Sequence, residues 1–169
     1  MRRLMKAAAM LLLVVIVGGC AMGKSRGWVV AGVTGANYTE DNIVDVSIQD
    51  TDGRRLGIGI AHVNEFSRGG TSGDECCARI PGVGQTIQVA WQVVGRERGA
   101  QRKDFSRDVV VAGEVSKRAS RHSYLIVRFF PDREVEAEFV PGDDPRGGRH
   151  PRVDKLFFAG PRVMRQKGE

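Results

Sequence analysis

Polar and apolar residues alternate with a period of two along several short stretches of the chain. The clearest example is residues 42–49, where aliphatic side chains alternate with polar neighbours. Alternation of this kind predicts a half-buried strand. An Asp-Gly pair follows at residues 52–53, and this pair is a strong signal for a tight hairpin turn. We therefore expect residues 56–63 to return as the next strand.

Further strand-like segments recur along the rest of the chain. They cover residues 28–33, 86–94, 108–115, 122–130, 134–140 and 153–159. The short link Pro131-Asp132-Arg133 predicts that the segments on either side of it pair as a hairpin. The pattern predicts one mainly β domain over residues 28–160, an antiparallel sandwich or partly open barrel of about seven or eight strands.

Three segments do not fit the strand pattern. Residues 64–85 are rich in glycine and contain a cysteine pair, and a loop this long inside a domain is usually functional or disordered. Because the cysteines argue for order, we expect this segment to be an irregular loop that reaches a partner. Residues 95–107 are interpreted as a polar, basic connection, and residues 161–169 as a basic C-terminal tail.

The first twenty residues have the three zones of a secretory signal peptide. Three basic residues precede an apolar run over residues 7–17, and Gly18-Gly19-Cys20 follows. Small residues before a cysteine are typical of a lipoprotein signal, in which a diacylglyceryl group is attached to the thiol and the chain is cut just before it. The sequence predicts a signal peptide over residues 1–19, lipidation of Cys20 and a lipidated tether over residues 20–27.

An uncleaved membrane helix is the alternative interpretation of the same segment. The uncharged run over residues 7–23 is at the lower limit of the length that spans a bilayer, about 17–25 residues. Its three glycines also weaken a helix. We expect the lipoprotein, held in the cell envelope, and Ala21 after the lipid site favours the outer membrane, facing the periplasm.

Size and charge narrow the possible functions. The chain has 26 Lys and Arg and 20 Asp and Glu, a formal charge of +6. Loss of residues 1–19 removes three bases and leaves 150 residues with a charge of +3, a length that suits one domain. The modest charge and the predicted export argue against a nucleic-acid partner. They are compatible with a protein partner and with a membrane reached through the lipid anchor.

Cys76 and Cys77 are the only cysteines besides Cys20, and they are adjacent. Because disulfides persist in the periplasm, we expect these two thiols to form a vicinal disulfide. Two separate buried thiols, or one bridge to another chain, are the alternatives. A redox-catalytic role is disfavoured, since such motifs usually space the thiols as C-x-x-C.

Patterns for catalysis and metal binding are weak. His62, His122 and His150 are far apart, and no two of them have the spacing of zinc ligands. The stretch Gly70-Thr71-Ser72-Gly73-Asp74 has only one glycine of a nucleophile elbow in place, which favours a turn. We therefore expect no metal, no cofactor and no enzymatic activity.

Basic residues cluster in the connection between two predicted strands. Arg96, Arg98, Arg102 and Lys103 stand close to only two acidic residues. The first interpretation is a solvated loop, because most charge runs are solvated. The second is a docking surface for an acidic protein partner, where charge speeds the encounter.

The middle of the chain resembles a family of uncharacterised short proteobacterial lipoproteins with a vicinal Cys-Cys motif. The resemblance covers roughly residues 36–141 and is carried by Asn37-Tyr38-Thr39, Ile43, Gly69-Gly70, Cys76-Cys77-Ala78-Arg79-Ile80-Pro81, Gly82, Val89-Ala90-Trp91 and Phe129-Phe130-Pro131-Asp132. It implies a periplasm-facing β domain on a lipid anchor. Members of this family look like the immunity partners of type VI secretion lipase effectors, which bind the toxin and cover its active site.

Two functions from different classes follow. The resemblance implies an immunity protein, a binding module that neutralises a lipase effector by occlusion and needs no catalytic residue. The alternative is a structural or assembly lipoprotein that binds another protein of the cell envelope. An adjacent lipase gene would favour the first function, and an adjacent secretion or pilus gene would favour the second.

Overall fold

A computed structural model describes residues 27–95, 97, 99–117, 122–142 and 150–157 of the chain. The predicted signal peptide, Cys20 with most of the tether, and the C-terminal tail lie outside the described residues. Within the described ranges there are nine strands and one α-helix, namely β1 (Trp28–Asn37), β2 (Asn42–Gln49), β3 (Arg55–Val63), β4 (Glu75–Pro81), β5 (Thr86–Val94), β6 (Arg102–Val110), β7 (Ala112–Gly113), β8 (Ser123–Phe129), β9 (Val135–Pro141) and α1 (Pro151–Phe157). Two single 3-10 turns connect strands, Phe66–Arg68 and Pro131–Arg133.

The described strands form two sheets that pack face to face. One sheet has five strands in the order β4-β1-β8-β9-β7, and the other has four in the order β3-β2-β5-β6. The predicted mainly β sandwich is confirmed. The structure adds that the five-stranded sheet is mixed, because β1 runs parallel to β8 and β7 runs parallel to β9. Between β1 and β8 the chain forms the four strands of the second sheet and also β4 and β7 of the first, and β8 then runs beside β1 in the same direction.

The core lies between the inner faces of the two sheets. Inward-facing side chains alternate along most of the strand length, as the pleat requires, but the register of β2 shifts between Val44 and Ser47, so that Ile43 and Val46 are both buried. The largest fully buried side chains are Phe129, Phe139, Ile43, Ile48, Ile80, Ile87 and Leu125. The Trp91 ring lies among them, with centroid distances of 5.5 Å to Phe129 and 5.7 Å to Phe105. Burial of this apolar surface, at about 25 cal/mol per Å², is the main stabilising term.

Most of the predicted strands are confirmed, but the one at residues 108–115 is divided between the end of β6 and β7. Segments assigned as loops from their composition are partly wrong. β2 has the predicted bounds, and β8 and β9 form the predicted hairpin. The second part of the predicted basic connection, from Arg102 to Arg107, belongs instead to β6. This strand is at the edge of its sheet, where a strand carries polar residues on its exposed positions. Residues 75–81, inside the predicted irregular loop, form β4 and pair with β1.

The predicted final strand at residues 153–159 is wrong, because Pro151–Phe157 forms helix α1. Proline is favoured in the first turn of a helix, where its missing N–H would have no partner. α1 lies on the outer face of the five-stranded sheet, where Val153 packs against Ile126 and Val140. The outer face of the four-stranded sheet carries no helix in the described part of the chain. No helix within these ranges is long and apolar enough to cross a bilayer.

Candidate binding surface

Several segments that carry the family resemblance lie together at one end of the sandwich. We call this end, formed by residues 37–41, 65–71 and 130–133, the signature end. It combines the end of β1 with the connections between β3 and β4 and between β8 and β9. Backbone hydrogen bonds of 2.8–2.9 Å join the three segments and their strands, from Asn37 N to Gly70 O, from Tyr38 N to Phe129 O and from Phe66 N to Thr39 O.

The Asn37 side chain holds the signature end together. It is only 1% exposed, and its Oδ1 accepts hydrogen bonds from the Thr39 N–H (2.9 Å) and hydroxyl (2.8 Å). Its Nδ2 donates to the carbonyls of Asp41 (2.9 Å) and Asn64 (3.1 Å). Glycine is required at position 70 for two reasons: a Cβ there would lie 2.5 Å from the Asn37 carbonyl oxygen, and the backbone of Gly70 has a positive φ of +60°. One amide therefore fixes the positions of neighbouring chain segments.

An aromatic cluster fills the space next to this amide. The Tyr38 ring stacks on Phe130 with centroids 5.2 Å apart, and Phe66 packs at 6.3 Å. Tyr38 and Phe130 are almost completely buried. Stacked and tilted aromatic pairs contribute about 0.5–1.5 kcal/mol beyond the area they bury. The signature end is therefore packed like a small second core, so it is rigid although it consists of connections.

A groove of about 640 Å³ opens at the signature end. Asp132 and Arg133, on one wall, both have a left-handed backbone, with φ of 60° and 61°. This conformation costs non-glycine residues about 1–2 kcal/mol and is maintained where the surrounding structure enforces it. The lining residues are Thr39, Glu40, Asp41, Pro131, Asp132 and Arg133.

The groove combines carboxylates with one guanidinium. Arg133 forms an ion pair with Asp41, and its guanidinium carbon lies 4.6 Å from the centroid of the Phe105 ring. The Glu40 carboxylate accepts hydrogen bonds from the Ser67 N–H (3.0 Å) and hydroxyl (2.7 Å). These fixed charges can make charge-assisted hydrogen bonds to the side chains of a protein partner.

A second candidate surface is the outer face of the four-stranded sheet, which we call the open polar face. It forms a recess of about 710 Å³ with small residues such as Gly59, Ala90 and Ser106 in its lining. Gln92 donates to Asp104 Oδ1 at 2.8 Å, and other glutamine and serine side chains surround the pair. The recess therefore offers both donors and acceptors of hydrogen bonds.

Only two of the four basic residues predicted as a docking surface lie within the described ranges. Arg102 borders the open polar face, where its Nη1 contacts Asp45 Oδ2 at 2.7 Å and Gln92 Oε1 at 3.1 Å. Lys103 is the next residue of β6, so its side chain faces the opposite side of the sheet. Arg96 and Arg98 lie outside the described residues. Docking of an acidic partner on this set stays a prediction.

The cysteine pair lies in β4, at the edge of the five-stranded sheet. Cys76 and Cys77 are both exposed, and the structure joins their sulfur atoms in a disulfide across a cis peptide bond. Their oxidation in the periplasm stays a prediction. Cys20, the predicted lipid site, lies outside the described residues.

Sequence reasoning missed a buried charge network on the outer face of the five-stranded sheet. Arg128 is 5% exposed and contacts Glu136 at 2.7 Å and Glu138 at 3.1 Å. Arg152 of α1 donates two hydrogen bonds to Glu138, at 2.9 and 2.8 Å. Hydrogen bonding by Glu138 raises the pKa of Arg152 above its usual value. The hairpin register, which sets Arg128 opposite Glu136, was the signal that could have found the network.

Two of the three histidines hydrogen-bond to residues near them. His62 Nε2 is 2.7 Å from Asn42 Oδ1 on the neighbouring strand, and His150 Nδ1 accepts a hydrogen bond from the Arg152 N–H at 3.2 Å. Within the described ranges, no three His, Cys, Asp or Glu side chains come close enough to hold a metal ion. The arrangement of the two candidate surfaces is suited to binding through hydrogen bonds and ion pairs.

Fold and surface together define a mainly β sandwich with one rigid, polar end. The family of proteins of unknown function DUF3304 matches residues 36–137, which is more than half of the chain, so this protein belongs to that family. The matched range contains the whole signature end, from Asn37 to Arg133, and the whole four-stranded sheet. Comparison with curated proteins and with solved structures found no significant match.

Proposed function

We propose that this protein is a cell-envelope lipoprotein, anchored through Cys20, whose β-sandwich is a binding module. More specifically, we propose an immunity protein that neutralises a type VI secretion lipase effector by occlusion. The resemblance described above suggests this class of partner. The observation that carries the binding role is the signature end, because it is rigid, polar and built from the residues that bear the resemblance.

Rigidity favours tight binding because little conformational entropy is lost when the complex forms. At the signature end, Asn37 makes four side-chain hydrogen bonds and Tyr38 stacks on Phe130. The groove at this end has both an exposed carboxylate, Asp132, and a guanidinium, Arg133. A lipase surface with complementary charges would be oriented by these groups, and such complementarity contributes specificity and speeds association.

The position of the signature end also suits a protein that captures a toxin above a membrane. β1 runs from Trp28, close to the proposed anchor, to Asn37 at the signature end. Ten residues of strand span about 30 Å at roughly 3.3 Å per residue. The groove would therefore face away from the anchored end of the domain, where an arriving effector can reach it.

Co-expression with a lipase encoded beside this gene tests the immunity function. We expect the full chain to relieve the toxicity of that lipase and to form a complex with a Kd of about 1 nM, as in tight inhibitor complexes. Asp132→Arg should weaken the complex about tenfold or more by reversing a charge in the groove. Arginine is accepted in this backbone conformation, since Arg133 has the same φ.

The matched control is Asp52→Arg, at the exposed tip of the turn between β2 and β3. It makes the same change in charge outside the groove and should change Kd less than about twofold. Circular dichroism verifies that both variants are folded. Unrelieved toxicity on co-expression would contradict the immunity function, and equal effects of the two variants would remove the signature end from the interface.

The second candidate function is a structural or assembly lipoprotein of the cell envelope. The open polar face favours it, because a recess of about 710 Å³ remains on a sheet whose other face is filled by the core. Ser106→Arg in this recess should then abolish capture of an envelope protein from detergent-solubilised membranes. Asp132→Arg should leave that capture unchanged. The opposite pattern would exclude this face as the docking site.

A further inference from the structure

Two apolar side chains are exposed on the outer face of β1, at the point where the described chain begins. Trp28 is 51% exposed and Val30 is 55% exposed. They are two residues apart in a strand and therefore face the same side. Arg79, on the neighbouring strand β4, pairs in register with Val30, and its guanidinium carbon lies 5.9 Å from the Trp28 ring centroid.

This patch does not belong to the part of the sheet that α1 covers. The helix packs through Val153 against Ile126 and Val140, farther along the outer face. Trp28, Val30 and Arg79 are all exposed to solvent. A large exposed aromatic side chain beside a cation is a combination that membrane-associated proteins use at the interface of water and lipid, where the ring and its polar edge are both accommodated.

The connection to Cys20 limits where the patch can lie. Cys20 and Trp28 are eight residues apart, so their Cα atoms are separated by at most about 28 Å. The start of the domain is fixed, because the Gly27 carbonyl accepts hydrogen bonds from Gly82 N–H and Gln85 Nε2, both at 2.9 Å. A lipid on Cys20 would therefore hold this end of the sandwich close to the bilayer.

The charges around this end match an anionic lipid surface. The sequence between Cys20 and Trp28 contains Lys24 and Arg26 and no acidic residue. Near the start of β8, the segment from Lys117 to His122 contains two arginines and likewise no acidic residue. The turn between β2 and β3, residues 50–54, carries two acidic residues and one basic residue, and the segment after β9 carries equal numbers of the two. Each basic residue close to an anionic membrane contributes about 1 kcal/mol of attraction.

We propose that Trp28, Val30 and Arg79 form a second membrane contact that inserts into the headgroup region of an anionic phospholipid bilayer. This inference rests on the proposed lipidation of Cys20, and it deepens that proposal because it fixes the orientation of the domain. The diacylglyceryl group on Cys20 would supply the attachment itself, and the contact would add a fixed orientation of the domain on the bilayer. The contact would direct the signature end away from the membrane.

Fluorescence quenching by brominated lipids tests the contact. The acylated full-length mature protein is placed in vesicles of phosphatidylcholine and phosphatidylglycerol whose acyl chains carry bromine. The chain has two tryptophans, and Trp91 is buried in the core. We expect Trp28 to lose about half or more of its emission relative to vesicles without bromine. In Trp28→Phe, where only Trp91 emits, the loss should be below about a tenth.

Charge-reversal variants give a second readout. Arg79→Glu should reduce the quenching of Trp28 about twofold or more in anionic vesicles, because a carboxylate would be repelled by the headgroups. Lys155→Glu, an exposed position on α1, makes the same change in charge away from the patch and should leave the quenching unchanged. Equal effects of the two variants would mean that net charge and not this patch determines the approach to the membrane.

The outcomes separate this inference from the proposal on which it rests. If metabolic labelling with fatty acid leaves Cys20 unmodified, the anchor is refuted and the contact is refuted with it. If Cys20 is acylated but Trp28 keeps its emission in brominated vesicles, the anchor stands and the contact is refuted. If Trp28 is instead shielded in solution as the protein concentration rises, a second copy of the chain covers the patch and the membrane contact is also refuted.

Discussion

The substitution Asn37→Asp tests whether one amide holds the signature end together. It keeps the size and shape of the side chain and changes only its hydrogen-bonding chemistry. The oxygen that accepts from Thr39 is retained. The nitrogen that donates to the carbonyls of Asp41 and Asn64 becomes a second oxygen, so that a carboxylate faces two carbonyl oxygens.

The expected loss follows from these contacts. Two hydrogen bonds disappear, each with a net contribution of about 1 kcal/mol, and two carbonyls lose their donor. A charge at a site that is 1% exposed adds a desolvation penalty, so we expect the free energy of unfolding to fall by about 3–5 kcal/mol. With a urea dependence of about 2 kcal/mol/M for a domain of this size, the midpoint should decrease by about 1.5–2.5 M.

Urea unfolding followed by the fluorescence of the core tryptophan Trp91 measures this loss. The pH dependence supplies a second signature, because burial raises the pKa of the introduced carboxyl above its value in the unfolded chain. The folded variant then binds more protons than the unfolded one, so its stability rises as the pH falls through that pKa. Asn42→Asp is the matched control, because Asn42 is partly exposed and its Oδ1 lies 2.7 Å from His62 Nε2. An introduced carboxylate can accept a hydrogen bond from that nitrogen in the same way.

A decrease of the Asn37→Asp midpoint by less than about 0.5 M would refute the reasoning, because it would mean that the two hydrogen bonds donated by the Asn37 amide contribute no more than an ordinary surface pair. A loss equal to that of the Asn42 control would have the same meaning. A loss that does not diminish on acidification would exclude the buried charge as its cause.

Two further predictions concern the charge network and the cysteine pair. Glu138→Gln should lower the free energy of unfolding by about 2–3 kcal/mol, as measured by thermal unfolding, because it removes the carboxylate that two arginines share. The control Glu75→Gln, at an exposed position, should change the free energy of unfolding by less than about 0.5 kcal/mol. Similar values for both variants would contradict the prediction. Cys76 and Cys77 should resist alkylation in protein taken from the periplasm and react only after reduction, as measured by mass spectrometry. Alkylation of both thiols without reduction would refute the vicinal disulfide.

The hairpins could be predicted because their signals are local. Residues 42–49 alternate polar and apolar side chains, and the structure has β2 over the same residues. The turn after it is closed by the Asp50 carboxylate, which accepts from the N–H groups of Asp52 and Arg54. A strand with one buried face must repeat every two residues, so its pattern can be read without knowing which strand lies beside it.

Strands at the edges of the sheets could not be recognised in this way. β6 has polar residues on both faces over most of its length, because only part of it covers the core. β4 begins with exposed residues, including the cysteine pair, and buries only its last two. Pairing with β5 and β1 makes these segments strands, and such pairing is invisible in the composition of the segment itself.

The sequence by itself therefore determined the mainly β class, the central strands, the two clearest hairpins and the candidate lipid and disulfide cysteines, because each depends on neighbouring residues in the chain. Only the tertiary structure decided that β1 runs beside β8, that the Asn37 and Phe130 segments meet at one end, and that the buried Arg128 is paired with two carboxylates. These contacts join residues far apart in sequence. They form because closing the core between two sheets buries more apolar surface than any local arrangement could.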